Sequence, residues 1–553
     1  MQEYPWFKSY DPNVPHSLKP YPDMTVLDLL GNLVKERPDD ALSIYQNREV
    51  SHREVEEHSN ALAHALIAAG VKKGDRVICL FLNCPQSHIA FFAIWKVGGI
   101  VVPLNPLYTP FELERSIKTV DAKVAIIHSL WYATIKGLQK NTNLHTVIPT
   151  DIDTYGVKPL KNEGDSVKAE EGDVWWSSLI EKYKGASRPA VSVKKEDTAL
   201  ILFSGGTTGV PKGAMTTHHA IIITGNQHLT WYRSAFPAGE KVLGVLPLFH
   251  AFGVYVAFGF CLLYHCPQVQ ILNPREMKNV VETIRDNKIV SMAATPAMYI
   301  GILNYPDRKP DDIRSLKLVS SGAAPLMTDT KQQLEKLISG VVIEGFGMTE
   351  TSIAGASTPV KGKWKQGSTG CPLPDVIMRI VDIETGEKEL KAGETGEMIM
   401  QAPNLMTGYW NQPQETAEVL RDGWLYTGDV GYLDDDGYLF LTSRKKELIK
   451  VGGFQVWPRE VEEIIAMHPD VAEVAVAAVP DPKQGEAVKA WVVLKEGKEI
   501  TAEELHKFTR EKLTGYKVPK YIEFRKDLPK TLVGKVLRRV LQEEEQAKGS
   551  QPK

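Results

Sequence analysis

Short apolar runs separated by amphipathic stretches recur over most of this sequence, and that alternation admits few folds. Residues 77–82, 124–128, 199–203 and 290–294 each have the length of a strand, and Gly74-Asp75 and Gly98-Gly99 punctuate the turns beside them. Strands alternating with helical stretches predict α/β layers. At 553 residues the chain has room for about three or four structural units.

Later changes of pattern divide the chain. Residues 150–195 are polar and charged without clear periodicity, which predicts a surface excursion from which a helix beginning at Trp175-Trp176 packs back. From Gly393, short strands punctuated by Gly and Asp predict an antiparallel unit with a hairpin at Asp435-Asp436-Gly437. After Lys446 come a helix (458–467), paired strands (471–479 and 488–494), a second helix (502–513) and a strand (521–524). These predict a small α+β module, so the expected division is a large domain over residues 1–445 and a C-terminal domain over residues 446–553. The last residues, EEEQAKGSQPK, read as a fraying tail.

Lys plus Arg (65) against Asp plus Glu (68) leaves a net charge of −3, so no global positive field exists to collect nucleic acid, and small-molecule partners are expected. Five cysteines, Cys79, Cys84, Cys261, Cys266 and Cys371, are too few and too scattered for a disulfide framework and read as buried thiols in a reducing interior. Residues 243–264 (LGVLPLFHAFGVYVAFGFCLLY) are long enough to imitate a membrane span, but Pro247 and His250 interrupt them, and they are read as core. The opening residues show no basic region followed by an apolar one, so no secretory signal is expected.

The segment with the most chemistry is Ser204-Gly205-Gly206-Thr207-Thr208-Gly209-Val210-Pro211-Lys212-Gly213, directly after the apolar run ALILF. Its glycines let backbone N–H groups approach phosphate oxygens, and its hydroxyls and one ammonium add donors. It is not a Walker loop, because Pro211 stands where glycine should precede the lysine. A second segment, Glu344-Gly345-Phe346-Gly347-Met348-Thr349-Glu350, lacks the third glycine of a dinucleotide fingerprint. It offers an aromatic ring to stack on a base and a carboxylate for a divalent cation.

These two segments, with SSGAAPL (320–326), GWLYTGD (423–429), SRKKELIKVGGFQVWPREVE (443–462) and KTLVGKVLRR (530–539), resemble in order and spacing the adenylate-forming superfamily of acyl-CoA synthetases, luciferases and carrier-loading adenylation domains. Four further segments, PWFKSYDPNVPHSL at the start, NCPQ (83–86), NPLYTPFELE (105–114) and LPLFHAFG (246–253), look like those of bacterial-type long-chain fatty-acyl-CoA ligases. The resemblance implies a large N-terminal domain of two α/β layers plus a distorted β-barrel, and a smaller mobile α+β C-terminal domain hinged near Lys446. It also implies a two-step reaction: ATP and a medium- or long-chain fatty acid give acyl-adenylate and pyrophosphate, and coenzyme A then displaces AMP.

By the same resemblance, the loop from Ser204 through Gly205, Gly206, Thr207, Thr208 and Gly209 to Lys212 would hold the β- and γ-phosphates, and Thr207 with Glu350 would hold Mg²⁺. Gly322, Ala323 and Ala324 would line the adenine, and Glu344, Gly345, Phe346, Gly347, Met348 and Thr349 would complete the nucleotide site, with Phe346 stacking. Asp429 would accept the ribose hydroxyls, with Arg444 beside it. His250 would stand beside the substrate carboxylate, with Trp231 a candidate tunnel gate or simply core. Lys535 would neutralise charge on the α-phosphate and the leaving pyrophosphate. Lys446 would be the hinge, while Gly453 and Lys450 would serve the thioester-forming arrangement.

Ser443 departs from the Asp usual at its position, and Gly205 from the wider superfamily's Ser. The expected location is cytoplasmic; peripheral attachment at the inner membrane surface and a homodimer both stay open. Rival readings are loading of another acceptor, a ligase for another hydrophobic or aryl acid, and a binding protein that kept the fold.

Overall fold

The apolar runs become strands of two large sheets in a computed structural model, which describes residues 3–157, 167–204, 212–451, 454–531 and 534–549. The expected phosphate-loop residues Gly205, Gly206, Thr207, Thr208 and Gly209, together with Gly453, lie outside the described residues. The first sheet has seven strands in the order Gly408–Tyr409, Lys212–Thr217, Thr198–Ser204, Ile100–Pro103, Arg76–Leu80, Val124–His128 and Thr146–Thr150. The last five are mutually parallel, and the first two are added antiparallel. Ile100–Pro103 and Val124–His128 are buried along their whole length, as strands covered on both faces must be.

A second sheet of nine strands has six parallel strands at its centre: Val341–Phe346, Leu318–Ser321, Ser291–Ala294, Val242–Gly244, Gln268–Gln270 and Ala41–Tyr45. Antiparallel strands close both of its edges. The helix Pro85–Lys96 touches strands of both sheets and is buried on every side. Its one cation, Lys96, is accommodated because its ammonium donates to the Glu56 carboxylate (2.8 Å), the Ser59 hydroxyl (2.6 Å) and the Asn60 carbonyl (2.8 Å).

Residues 243–264 are core, as expected. They begin in the strand Val242–Gly244, turn, and continue as a helix through Ala251–Val254 and the wider-wound Tyr255–Cys261. This helix packs on the helix His218–Tyr232, and the two backbones meet at Gly225 and Gly259. A Cβ on Gly225 would stand 2.6 Å from the Gly259 carbonyl oxygen. Among the described residues no helix is long and apolar enough to cross a membrane. All five cysteines are free and buried.

The unit expected as a distorted barrel is built on a five-stranded antiparallel sheet: Ile377–Val381, Gly396–Gln401, Leu420–Arg421, the long Trp424–Leu433, and Leu439–Arg444. Its hairpin turns at Asp434–Tyr438, where Gly437 adopts φ 76°. The short turn Lys445–Glu447 then leads into a fourth sheet. There Ile449–Val451, Phe454–Val456, Val471–Asp481 and Gly485–Leu494 run antiparallel, and Tyr521–Arg525 joins in parallel. The helices Pro458–Ala466, Ala502–Arg510 and Arg538–Gly549 accompany it. The second of these ends three residues before the sequence pattern suggested.

Candidate active site

The strand Thr198–Ser204 and the antiparallel strand Lys212–Thr217 form a hairpin in register Ser204↔Lys212. The chain thus enters a strand at Lys212, not the helix that follows a Walker loop. Lys212 lines a cavity of about 730 Å³. Also on its wall are the ends of the parallel strands Leu318–Ser321 and Val341–Phe346, the rim where open α/β sheets bind ligands.

Gly322, Ala323, Gly345, Phe346, Gly347, Met348, Thr349 and Glu350 all line this cavity. The backbone is strained there: Ala323 (φ 67°), Ser352 (φ 52°) and Ile353 (φ 61°) are left-handed although none is glycine. Gly347 must be glycine, because a Cβ on it would lie 2.0 Å from the Ile353 carbonyl oxygen. Ala324 and Glu344 are not on the wall. Glu344 is buried behind it, accepts the Leu326 amide at 3.2 Å, and has its pKa raised by that burial.

Glu350 is 6% exposed; its Oε1 accepts the Tyr409 hydroxyl at 2.9 Å, and its backbone carbonyl accepts the Met406 amide at 2.8 Å. A fixed carboxylate bordering this cavity is the hard oxygen donor that magnesium prefers, with phosphate oxygens and water able to complete its shell. The expected second ligand, Thr207, lies outside the described residues.

Asp429 and Arg444 are opposite one another in the hairpin, and the Arg444 Nε donates to Asp429 Oδ1 at 2.8 Å. The other oxygen, Oδ2, is buried with no partner. Burial lifts the Asp429 carboxyl above the usual range despite the attraction of Arg444 and Lys535. A buried acceptor left open beside Thr427 and Gly428, both on the cavity wall, suits a ligand hydroxyl.

His250 caps the helix Ala251–Val254: its Nδ1 accepts the Phe252 amide at 3.2 Å, so in the neutral ring the proton sits on Nε2. Burial, assisted by the positive charge of Lys535, lowers its pKa to about 4, and the ring is a neutral donor at neutral pH. Lys535 arrives from the C-terminal module on a tight turn. The Thr531 amide donates to the Lys535 carbonyl at 2.8 Å, and the Lys535 amide donates to the Thr531 hydroxyl at 3.1 Å. Burial first, then Arg444, holds its ammonium below the ordinary lysine range.

Lys446 lines the cavity, whereas Lys450 does not; it is exposed on the strand Ile449–Val451, with its amide bonded to Glu486 at 2.6 Å. The structure therefore presents Lys535, not the Lys450 face, to the cavity. Trp231 is core, donating to the Thr358 carbonyl at 3.1 Å. Ser443 has a buried hydroxyl with no partner. Sequence reasoning missed Tyr409 and the ion pair of Lys445 with the buried Glu397 (2.7 Å), all on the cavity wall. The Gly-Tyr-Trp at 408–410 was the only signal for Tyr409, an aromatic pair after a glycine in a polar stretch.

The family model of the AMP-binding enzyme matches residues 32–410, and that of the AMP-binding enzyme C-terminal domain matches residues 460–535. A curated relative, the long-chain-fatty-acid–CoA ligase of Bacillus subtilis (strain 168), is 37% identical over 98% of both chains. Among solved structures, ATP-bound MatB from Rhodopseudomonas palustris is 28% identical with a TM-score of 0.83, over 94% of this chain and 99% of that one. The anthranilate CoA ligase AuaEII in complex with anthranoyl-AMP is 26% identical with a TM-score of 0.84, over 96% and 98%. With both family domains in sequence and a cavity built from both, the chain belongs to the AMP-binding enzyme family and is an adenylate-forming CoA ligase.

Proposed function

We propose that this ligase activates a medium- or long-chain fatty acid with ATP and passes the acyl group to coenzyme A. The observation that carries this reading is the convergence on one cavity of Glu350, Lys535 and Arg444, the last ion-paired to the buried Asp429, from three separate parts of the chain. The Bacillus subtilis relative supports the choice of acid, and so do Phe203, Phe249, Phe252 and Tyr232 on the cavity wall.

In the first step Asp429 and Arg444 hold the ribose. The wall at Gly322, Ala323 and Gly345–Thr349, with Phe346 stacking, holds the adenine. The hairpin from Ser204 to Lys212 holds the β- and γ-phosphates. Bound Mg²⁺, on Glu350 and Thr207, would supply charge neutralisation to the phosphates. The Nε2–H of His250 orients the fatty carboxylate, one of whose oxygens bonds to the α-phosphorus as the bond to pyrophosphate breaks. Lys535 neutralises the charge that builds on both. No side-chain nucleophile is required, since alignment and electrostatics supply the catalysis.

In the second step the module after residue 445 turns about Lys446 and exchanges the Lys535 face for that of Lys450 and Gly453. The sulfur of coenzyme A then bonds to the acyl carbon, and AMP leaves. The AuaEII likeness, with His228 also on the cavity wall, favours a second reading as a ligase for an aryl acid.

A pyrophosphate-release screen from acetate through oleate and aromatic acids, with and without coenzyme A, separates the two. Highest kcat/KM is expected for a medium or long alkyl chain, and faster turnover of an aryl acid or acetate would overturn the fatty-acid assignment.

The lowered pKa of Lys535 has a sign that can be checked. Only the ammonium form neutralises phosphate charge, so raising the pH through that pKa removes the contribution. In the free enzyme kcat/KM for ATP is expected to fall on the alkaline side, starting below the range of an ordinary lysine. Lys535→Arg keeps its charge, and its profile should lose that limb at a lower plateau. An unchanged limb in the arginine variant would assign it to another group.

A further inference from the structure

Tyr409 stands between the two groups of opposite charge that the site directs at phosphate. Its hydroxyl donates to Glu350 Oε1 at 2.9 Å, and the ammonium of Lys212 lies 5.1 Å from its ring centroid. Both contacts are made from a rigid base. Gly408–Tyr409 pairs with the strand that begins at Lys212, in register Tyr409↔Ala214. The Tyr409 amide donates to the Thr416 hydroxyl at 2.9 Å, and the Trp410 amide to the Gly213 carbonyl at 2.8 Å. On the far side, the Met406 amide binds the backbone carbonyl of Glu350 itself. Residues 406–410 thus tie the end of the phosphate hairpin to the segment carrying the acidic ligand.

Tyr409 is 7% exposed, and burial together with the neighbouring Glu350 charge pushes its phenol well above the usual range, so it stays a donor at every working pH. A carboxylate accepting one fixed hydrogen bond has its orientation set, and groups that orient metal-binding carboxylates in this way contribute heavily to affinity.

We propose that Tyr409 is the positioning residue of this site: its hydroxyl sets the Glu350 carboxylate for the divalent cation, and its ring sets Lys212 for the phosphates. This rests on the function proposed above and deepens it by dividing the metal-dependent and metal-independent parts of ATP binding between two parts of one side chain.

Calorimetric titration of the full-length protein with ATP, once with Mn²⁺ and once with EDTA, tests the division without relying on turnover. Tyr409→Phe keeps the ring and is expected to raise the Kd for Mn²⁺–ATP about 10–100-fold while leaving ATP affinity in EDTA close to wild type. Tyr409→Leu removes the ring as well and should weaken binding in both conditions. Glu350→Gln should weaken Mn²⁺–ATP binding at least as much as Tyr409→Phe, and adding Tyr409→Phe to Glu350→Gln should cost no further metal-dependent affinity, because the hydroxyl acts through that carboxylate.

Equal Mn²⁺–ATP affinity in wild type and Tyr409→Phe, equal losses with and without metal, or additive effects of the two substitutions would each overturn the positioning role while leaving the ligase reading intact. A wild-type protein whose ATP affinity ignores the metal would overturn the assignment of Glu350 and this proposal with it.

Discussion

Lys535→Ala is expected to slow pyrophosphate release about 10²–10³-fold and to leave thioester formation from ready-made acyl-adenylate near the wild-type rate. The ammonium sits at the cavity together with Arg444, on a turn contributed by the C-terminal module. Preorganised charge of this kind contributes about 3–4 kcal/mol to a transition state that accumulates negative charge, which corresponds to the rate factor given.

In the proposed mechanism the second half-reaction uses the other face of the module, where Lys450 is exposed and away from the cavity in the present arrangement. Two assays on one preparation therefore diverge: radiolabelled pyrophosphate exchange for the first step, and acyl-CoA formed from synthetic acyl-adenylate for the second. A parallel fall in both, with the melting temperature unchanged, would contradict the use of two arrangements of the module. No fall in either would make Lys535 an ordinary lysine at the cavity edge.

Asp429→Ala is expected to raise the KM for ATP strongly with a smaller change in kcat. The Oδ2 of Asp429 is buried without a partner, and its Oδ1 holds Arg444 at 2.8 Å. Alanine removes the acceptor proposed for the ribose hydroxyls and releases the guanidinium beside it. Hydrogen bonds to charged groups contribute about 1.5–3 kcal/mol each, so the loss should be at least about tenfold.

Titration of ATP at saturating acid, with 2′-deoxy-ATP as a control, makes the assignment specific. Wild type should discriminate against the deoxynucleotide, and Asp429→Ala should bind both alike. An unchanged ATP KM in a folded variant would return Asp429 to a purely structural place in the hairpin.

Much of this protein is legible along the chain. The strands Val124–His128 and Thr198–Ser204 are visible as apolar runs, and the hairpin joining Trp424–Leu433 to Leu439–Arg444 is announced by Asp435-Asp436-Gly437. Both signals are local, because strand burial and turn chemistry depend on residues within a few positions of one another. The candidate ligand-binding segments are legible for the same reason: a glycine-rich stretch after a strand keeps its chemistry within about ten residues.

Three features were settled only by the packed chain. The helix Pro85–Lys96 is buried on every side because it lies between two sheets, and Lys96 survives there because Glu56, Ser59 and Asn60 come from a different helix. The link from Tyr409 to Glu350 joins residues 59 positions apart. The approach of Lys535 to the cavity depends on the C-terminal module's position, which no window of sequence encodes. Composition and periodicity determine which residues become strands, turns and core, since those preferences are summed over neighbours. Which charges share a cavity is decided by the packing of whole layers, where one hydrogen bond or ion pair between distant segments sets the final geometry.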